Sequence, residues 1–291
     1  MRRLFSRLIP KRLRGDAVII PVVRLAGAIM PSSSPLRQNL SLATTAGVIE
    51  KAFSFSEAPA VAFSINSPGG APVQSRLIYK RIRDLAVEKD KKVFMFVEDV
   101  AASGGYMIAL AGDEIIADPS SVVGSIGVIS SGFGFQEMIK KIGVERRVHT
   151  AGQNKAILDP FQPEKKEDVE RLKALQLAMH DIFIGMVKER RGAKLADDPD
   201  LFTGAFWIGE RGLELGLVDG LGDMRSTLKE RYGKKTRLAL ITPARGLFGR
   251  KLSVSSGLAG QADFGVAIAG GAATGLMEAA EEQALWQRFG L

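Results

Sequence analysis

The stretch VEDVAASGGYMIALAGDEIIADPSSVVGSIGV, residues 97–128, decides the fold, because it joins a strand to a helix through very small residues. The apolar run VFMFV at 93–97 is short, branched or aromatic, and bounded by charges, which predicts a buried strand. A turn of small residues follows, and an apolar helical pattern begins at Tyr106. Ser103 in this turn is flanked by residues too small to block it and is placed to attack a substrate, and the helix behind it can stabilise negative charge. Taken alone, such a turn is more often a packing device than a catalytic site.

A second turn of the same kind precedes this one. The buried strand pattern AVAFSI at 60–65 ends in NSPGG at 66–70, and an amphipathic helix pattern follows. Strands that alternate with helices predict an α/β fold with a mostly parallel sheet. The carboxyl ends of parallel strands share one sheet edge, so the backbone N–H groups of Gly69 and Gly70 are expected near Ser103, available to an oxyanion. Phosphate binding is the alternative, but neither turn matches GxxxxGK[ST] or GxGxxG.

The pattern beyond residue 128 is less regular. It predicts a helix over 135–142, a short strand over 146–150 and the longest helix of the chain over 164–191. A polar segment at 155–163 separates the last two. We find no internal repeat in the sequence.

Composition limits the chemistry. The chain of 291 residues is 46% hydrophobic and 25% charged, which is typical of a globular protein with a sizeable core. It has no cysteine and two histidines, so a thiolate nucleophile, a disulfide and a multi-histidine metal site are excluded. His149 falls in a predicted strand and His180 inside an amphipathic helix, where a packed or surface role is the simpler interpretation.

A serine nucleophile then needs another base. A desolvated lysine can serve, because burial makes its neutral amine available near neutral pH. Most lysines of this chain lie on solvated helix faces, whereas Lys155 is followed directly by apolar residues. Composition alone does not select it, since a loop lysine is usually solvated.

The net charge is +8, with much of the excess in the first 16 residues. Residues 1–16 form a basic amphipathic segment without a cleavable signal or a clear membrane span, which predicts peripheral contact with an anionic membrane. A disordered basic tail is an equal alternative. The sequence shows no interleaved basic and aromatic pattern, so we expect no nucleic-acid binding. The expected location is the cytoplasm or the inner-membrane surface.

Residues 236–291 form a Gly/Ala-rich C-terminal tail. The apolar stretch 264–277 is shorter than the ~20 residues that a membrane-spanning helix needs. An interfacial or oligomer-packing helix and a disordered tail both remain open, and Trp286 and Phe289 suit the former.

Several motifs occur together in one order and resemble the signal peptide peptidase A family of serine peptidases. They are INSPGG at 65–70, AASGGY at 101–106, ADPSSVVGSIGVI at 117–129 and a lysine after Gly152. The resemblance covers roughly residues 17–231. It implies a fold like that of Clp protease and the crotonases, with repeated ββα layers and a single catalytic domain at 17–235. It implies no cofactor and no metal.

The resemblance also implies roles for individual residues. Ser103 is the expected nucleophile and Lys155 the expected general base of a Ser-Lys dyad. Gly70 and Gly104 are the expected oxyanion donors, and the Ser125 hydroxyl is expected to orient the lysine. The implied function is a serine endopeptidase that degrades residual signal peptides or membrane-protein fragments.

Members of this family assemble into homo-oligomeric rings, and in the short members the lysine comes from the neighbouring subunit. The chain departs from the family in two places. Its first residues form only the basic segment, so we expect no N-terminal span of the usual kind, and Asp159-Pro160 stands where many relatives have serine-proline. An acid at that point could favour the charged form of the lysine.

Two other functions remain open at this stage. A crotonase-like acyl-CoA enzyme shares paired oxyanion turns, but its chemistry would fall on acids rather than on Ser103 and Lys155. A catalytically inactive, membrane-associated scaffold of the same fold is the second alternative, although the joint presence of Ser103, Lys155, Gly70 and Ser125 argues against it.

Overall fold

The computed structural model describes residues 17–31, 39–242, 279–280 and 282–291. The predicted N-terminal segment 1–16 and most of the predicted tail lie outside the described residues. The strands are β1 (Ile19–Ala26), β2 (Ala60–Ser67), β3 (Lys92–Ala102), β4 (Glu114–Ala117), β5 (Val122–Gly124), β6 (Phe206–Ile208), β7 (Gly220–Leu221) and β8 (Arg237–Leu240). The helices are α1 (Leu42–Phe53), α2 (Pro72–Glu88), α3 (Gly104–Ala109), α4 (Gln136–Lys141), α5 (Lys166–Arg191), α6 (Gly209–Glu214) and α7 (Met224–Tyr232).

The strands form one sheet in the order β6-β5-β3-β2-β1-β8, with β4 beside β3 and β7 beside β4. Each pairing is parallel except that of β5 with β6. This confirms the prediction of an α/β fold with a mostly parallel sheet. Strand β8 lies just beyond the domain boundary expected at residue 235 and pairs with β1.

The sheet is buried on both faces, as parallel sheets are. Alternate residues of β2 point to opposite sides. Val61, Phe63 and Ile65 belong to the larger apolar cluster, whereas Ala60 and Ala62 belong to a smaller one on the other face. The continuous apolar runs in β2 and β3 follow from this two-sided burial. Within the described residues, no helix combines the length and the apolar character needed to span a bilayer.

The predicted strand over 146–150 is wrong. These residues have no regular secondary structure and most of them are exposed. A strand needs a neighbouring strand for its backbone hydrogen bonds, and this segment lies outside the sheet. Its β-like sequence pattern therefore has no partner to pair with among the described strands.

Tyr106 fastens α3 to the chain that leads into β7. Its side chain is fully buried, and its hydroxyl donates to the Leu217 carbonyl oxygen at 2.7 Å. Burial raises the pKa of Tyr106 above its ordinary value, so the hydroxyl keeps its proton.

We expect Tyr106→Phe to lower the free energy of unfolding by about 1–3 kcal/mol, because it leaves a buried carbonyl without its donor. Urea unfolding of the purified protein measures this change. Tyr79→Phe is the matched control, since the half-buried Tyr79 hydroxyl has no hydrogen bond within the described residues. Equal stability of the two variants would contradict the expected role of the hydroxyl.

Candidate active site

Ser103 lies between β3 and α3 in a strained backbone conformation. Its φ is 52° and its ψ is −122°, a region that residues with a side chain seldom occupy. Such strain costs about 1–3 kcal/mol and persists only where the surroundings hold it. Here the Ser103 N–H donates to the Gly124 carbonyl oxygen at 2.9 Å, and its carbonyl oxygen accepts from the Met107 N–H at 3.0 Å. The structure therefore fixes the position of this serine through both of its peptide groups.

Gly70 and Gly104 lie side by side next to Ser103. A Cβ atom built on Gly104 would be 3.4 Å from the Gly70 nitrogen. Neither N–H group donates a hydrogen bond within the described residues. Both glycines line the same cavity as Ser103. Two adjacent free donors at one cavity can bind a negatively charged oxygen.

The turn that carries Gly70 is held by a short parallel bridge to Ile29. The Ile29 N–H donates to the Gly69 carbonyl oxygen at 2.8 Å, and the Ala71 N–H donates to the Ile29 carbonyl oxygen at 2.7 Å. The first bond uses the carbonyl of the peptide group that contains the Gly70 nitrogen, and the second uses the N–H of the next peptide group. The Gly70 N–H is therefore positioned by its neighbours.

Ser125 follows β5 at the same sheet edge. It is almost fully buried, its φ is 53°, and its N–H donates to the Ala205 carbonyl oxygen at 2.7 Å. The residue before it, Gly124, accepts the hydrogen bond from Ser103. The ends of β3 and β5 thus bring Ser125 and Ser103 close together, as expected of adjacent parallel strands.

Lys155 lies away from the cavity at Ser103 of its own chain. It is exposed, and its N–H donates to the Gly152 carbonyl oxygen at 3.3 Å. It is not one of the described residues that line the cavity at Ser103. Its assignment as the base remains a prediction.

The acid near Lys155 has a partner of its own. The Asp159 carboxylate accepts from the Arg146 Nε at 2.8 Å and from the Phe161 N–H at 3.1 Å. The hydrogen bond from Arg146 holds the pKa of Asp159 below its usual range. The Arg146 guanidinium also lies over the Phe161 ring at 5.0 Å. The negative charge of Asp159 is therefore compensated locally.

Neither histidine lines the cavity at Ser103 in the part of the chain that is described. The His180 Nε2 lies 3.0 Å from the Ile126 carbonyl oxygen, a hydrogen bond that packs α5 against the chain after Ser125. His149 is exposed. These positions agree with the packed and surface roles predicted for them.

The cavity at Ser103 has a volume of about 290 Å³ and mostly apolar walls. Its lining residues are Pro68, Gly70, Ala71, Pro72, Ser103, Gly104, Met107, Gly127, Val128, Ile129, Met179, Phe183, Leu285 and Arg288. Sequence reasoning missed the wall contributed by α5 and by the C-terminal residues. Apolar spacing on α5 was visible, but it is equally typical of a core-facing helix.

A strained serine, two N–H donors without a partner among the described residues and an apolar cleft at one sheet edge are typical of one class of protein, the nucleophilic serine hydrolases. Comparison with known proteins narrows this class. The profile of peptidase family S49 matches residues 86–236, more than half of the chain. The chain belongs to peptidase family S49.

Individual relatives are similar over different lengths. The serine protease SPPA of Arabidopsis thaliana chloroplasts is 31% identical over 73% of this chain, and Protease 4 of Haemophilus influenzae is 30% identical over 72%. The matches cover 32% and 34% of those proteins. A protein named Na(+)/H(+) antiporter NhaA from Brucella abortus is 66% identical over 99% of this chain, which spans 39% of its length. Most of that relative therefore lies outside the match.

A solved structure shares the fold. It is a variant of the 1510-N membrane-bound stomatin-specific protease in complex with a substrate peptide, and it superposes with a TM-score of 0.50 at 17% identity. The match covers 78% of this chain and 94% of that one. The likeness supports the S49 peptidase fold found from the sequence profile.

Proposed function

We propose that this chain is a serine endopeptidase that cleaves peptide bonds with Ser103 as nucleophile and Lys155 as general base. The observation that carries the proposal is the strained Ser103 beside the N–H groups of Gly70 and Gly104, which have no partner among the described residues. Membership of family S49 supports the same reaction class.

The proposed reaction has two steps. The neutral amine of Lys155 removes the Ser103 proton while Oγ attacks the carbonyl carbon, and the N–H groups of Gly70 and Gly104 bind the resulting oxyanion. The lysine ammonium then gives its proton to the departing amine, which leaves an acyl-enzyme. Water, deprotonated by Lys155, hydrolyses the ester and restores Ser103.

We propose further that Lys155 acts in the site of a neighbouring subunit of a homo-oligomeric ring. The exposed position of Lys155, away from the cavity of its own chain, supports this arrangement. The pairing of Asp159 with Arg146 supports Lys155 as the base, because a compensated acid opposes proton release from the lysine less than a free one.

The proposed substrates are extended peptides with apolar side chains, such as residual signal peptides or membrane-protein fragments. The apolar lining from Met107, Met179 and Phe183 supports this choice, since it buries an apolar side chain beside Ser103. Peripheral contact with the inner membrane through the basic segment 1–16 would bring the enzyme to such substrates.

An active-site-directed fluorophosphonate tests the nucleophile. We expect the wild-type protein to be labelled and to hydrolyse casein, and we expect Ser103→Ala to lose both properties, because only a nucleophilic hydroxyl reacts. Ser120→Ala removes an exposed serine of the next loop and should leave both unchanged. Undiminished labelling or hydrolysis by Ser103→Ala would refute the proposal. Acyl-CoA binding without casein hydrolysis would favour a crotonase-like enzyme. A wild-type protein without any of these activities would favour a scaffold.

A further inference from the structure

The C-terminal residues pack beside the nucleophile. Phe289 is 9% exposed and contacts Val100 and Ala102, the fully buried residues near the end of β3. Its ring meets that of Phe206 edge-on, with centroids 5.0 Å apart. Because β3 ends one residue before Ser103, Phe289 anchors the C-terminal residues at the active-site edge of the sheet.

From this anchor the C-terminal residues form one wall of the cavity. Leu285 and Arg288 line it together with Ser103. They are three residues apart, the spacing that puts side chains on one face of a helical segment. The cavity keeps a volume of about 290 Å³ with these residues in place. The segment therefore borders the cleft and leaves room for a substrate.

Arg288 is the one charged residue among the described residues that line this cavity. The other lining residues are apolar side chains, alanine, prolines, glycines and Ser103 itself. Arg288 is exposed, and it forms no ion pair with the described residues; its guanidinium lies 5.8 Å from the centre of the Phe289 ring. A guanidinium with free donors binds a carboxylate through two parallel hydrogen bonds.

We propose that Arg288 is a specificity-determining residue that selects peptides with a carboxylate close to the bond that Ser103 attacks. The carboxylate belongs to an acidic side chain or to the C-terminus of the peptide. This inference rests on the proposed peptidase function and adds a charge preference to the apolar one. It makes the C-terminal wall, anchored by Phe289, part of the substrate site.

Binding to the Ser103→Ala protein tests the inference without requiring turnover. The probes are eight-residue peptides of alanine and leucine with an uncharged fluorophore, in which Glu, Gln or Lys occupies each of the four central positions in turn. Amidated peptides isolate the side chain, and a Gln peptide with a free carboxylate isolates the C-terminus. Fluorescence anisotropy at low salt gives the Kd of each.

We expect at least one Glu peptide, or the free-carboxylate peptide, to bind about five-fold tighter than its neutral counterpart, the upper end of the range for an exposed ion pair. Arg288→Gln should abolish this difference, and Arg288→Glu should reverse it towards Lys. Arg225→Gln removes an exposed arginine on α7 that does not line the cavity, and it should leave the preference intact. Phe289→Ala should lose the preference because the wall loses its anchor.

Equal Kd values for the charged and neutral peptides would overturn the inference, as would absence of binding by every peptide. Tighter binding of all peptides by Phe289→Ala would also overturn it, because the segment would then be an obstruction. These outcomes can be distinguished from a failure of the proposed peptidase function. Casein hydrolysis by the wild type that depends on Ser103, without any charge preference, would refute the role of Arg288 alone.

Discussion

A mixed oligomer of Ser103→Ala and Lys155→Ala subunits is expected to recover peptidase activity that neither variant has alone. Each single variant lacks one member of the proposed dyad, and such losses cost about 10⁴-fold or more in kcat. In the mixture, the intact Ser103 of one subunit meets the intact Lys155 of another. A ring in which each site draws on two subunits restores complete sites, whereas a site built within one chain does not.

The fraction of peptidase activity that the mixed oligomer recovers can also be predicted. In a one-to-one mixture, about one quarter of the sites combine an intact serine with an intact lysine from the neighbour, if subunits assort at random in a symmetric ring. Co-expression with two different affinity tags, followed by purification on both, yields mixed oligomers for an assay of casein hydrolysis. Wild-type protein with the same two tags sets the full rate.

Two controls make the result decisive. Ser103→Ala mixed with the double variant Ser103→Ala/Lys155→Ala contains no intact serine and should stay inactive. Lys165→Ala replaces another exposed lysine, directly before α5, and should keep the full rate. Mixed oligomers that form but remain as inactive as the single variants would show that Lys155 does not act across subunits.

The position of the two small-residue turns at the candidate site was predictable from the sequence because it depends on local pattern. Apolar runs followed by small residues mark the ends of β2 and β3, and parallel pairing of these strands brings Gly70 and Ser103 to one edge. The strained φ of Ser103 was not visible in the sequence. It depends on hydrogen bonds to Gly124 and Met107, which only the folded chain supplies.

Features that depend on distant contacts could not be predicted. The wall formed by Leu285 and Arg288 requires Phe289 to reach Val100 across most of the sequence, and no local periodicity encodes that contact. The segment 146–150 is the opposite case, because the sequence predicts a strand there that the structure does not contain. Its local pattern favours a strand, but the part of the chain that the structure describes offers that strand no neighbour.

Gly70→Ala is expected to lower kcat by about 10²–10³-fold, the cost of losing one oxyanion donor. Gly70 has a φ of 137°, which residues with a side chain rarely adopt. A Cβ atom there would overlap the Ile29 carbonyl oxygen and lie 2.9 Å from its carbon. Because both are backbone atoms of the bridge that holds the turn, the turn itself must move, and the N–H of residue 70 moves with it.

The kinetic signature separates this effect from weaker substrate binding. A donor that acts on the oxyanion stabilises the transition state more than the bound substrate, so kcat should fall while KM changes little. Steady-state hydrolysis of a fluorogenic peptide measures both. Gly47→Ala is the matched control, because a Cβ there meets no atom of the described residues within 4 Å. It lies inside α1, where replacing glycine by alanine stabilises by about 0.5–1 kcal/mol.

A second variant tests the same oxyanion donors in case Gly70→Ala fails to fold. A Cβ on Gly104 would overlap the Ser75 hydroxyl oxygen, which Ser75→Ala removes, and would then lie 3.4 Å from the Gly70 nitrogen. The double variant Ser75→Ala/Gly104→Ala therefore places a methyl group beside the proposed oxyanion position with less disturbance of the backbone. We expect it to lose kcat relative to Ser75→Ala alone. Full kcat in both folded variants would mean that these N–H groups do not bind the oxyanion, because each change alters the space where that oxygen must lie.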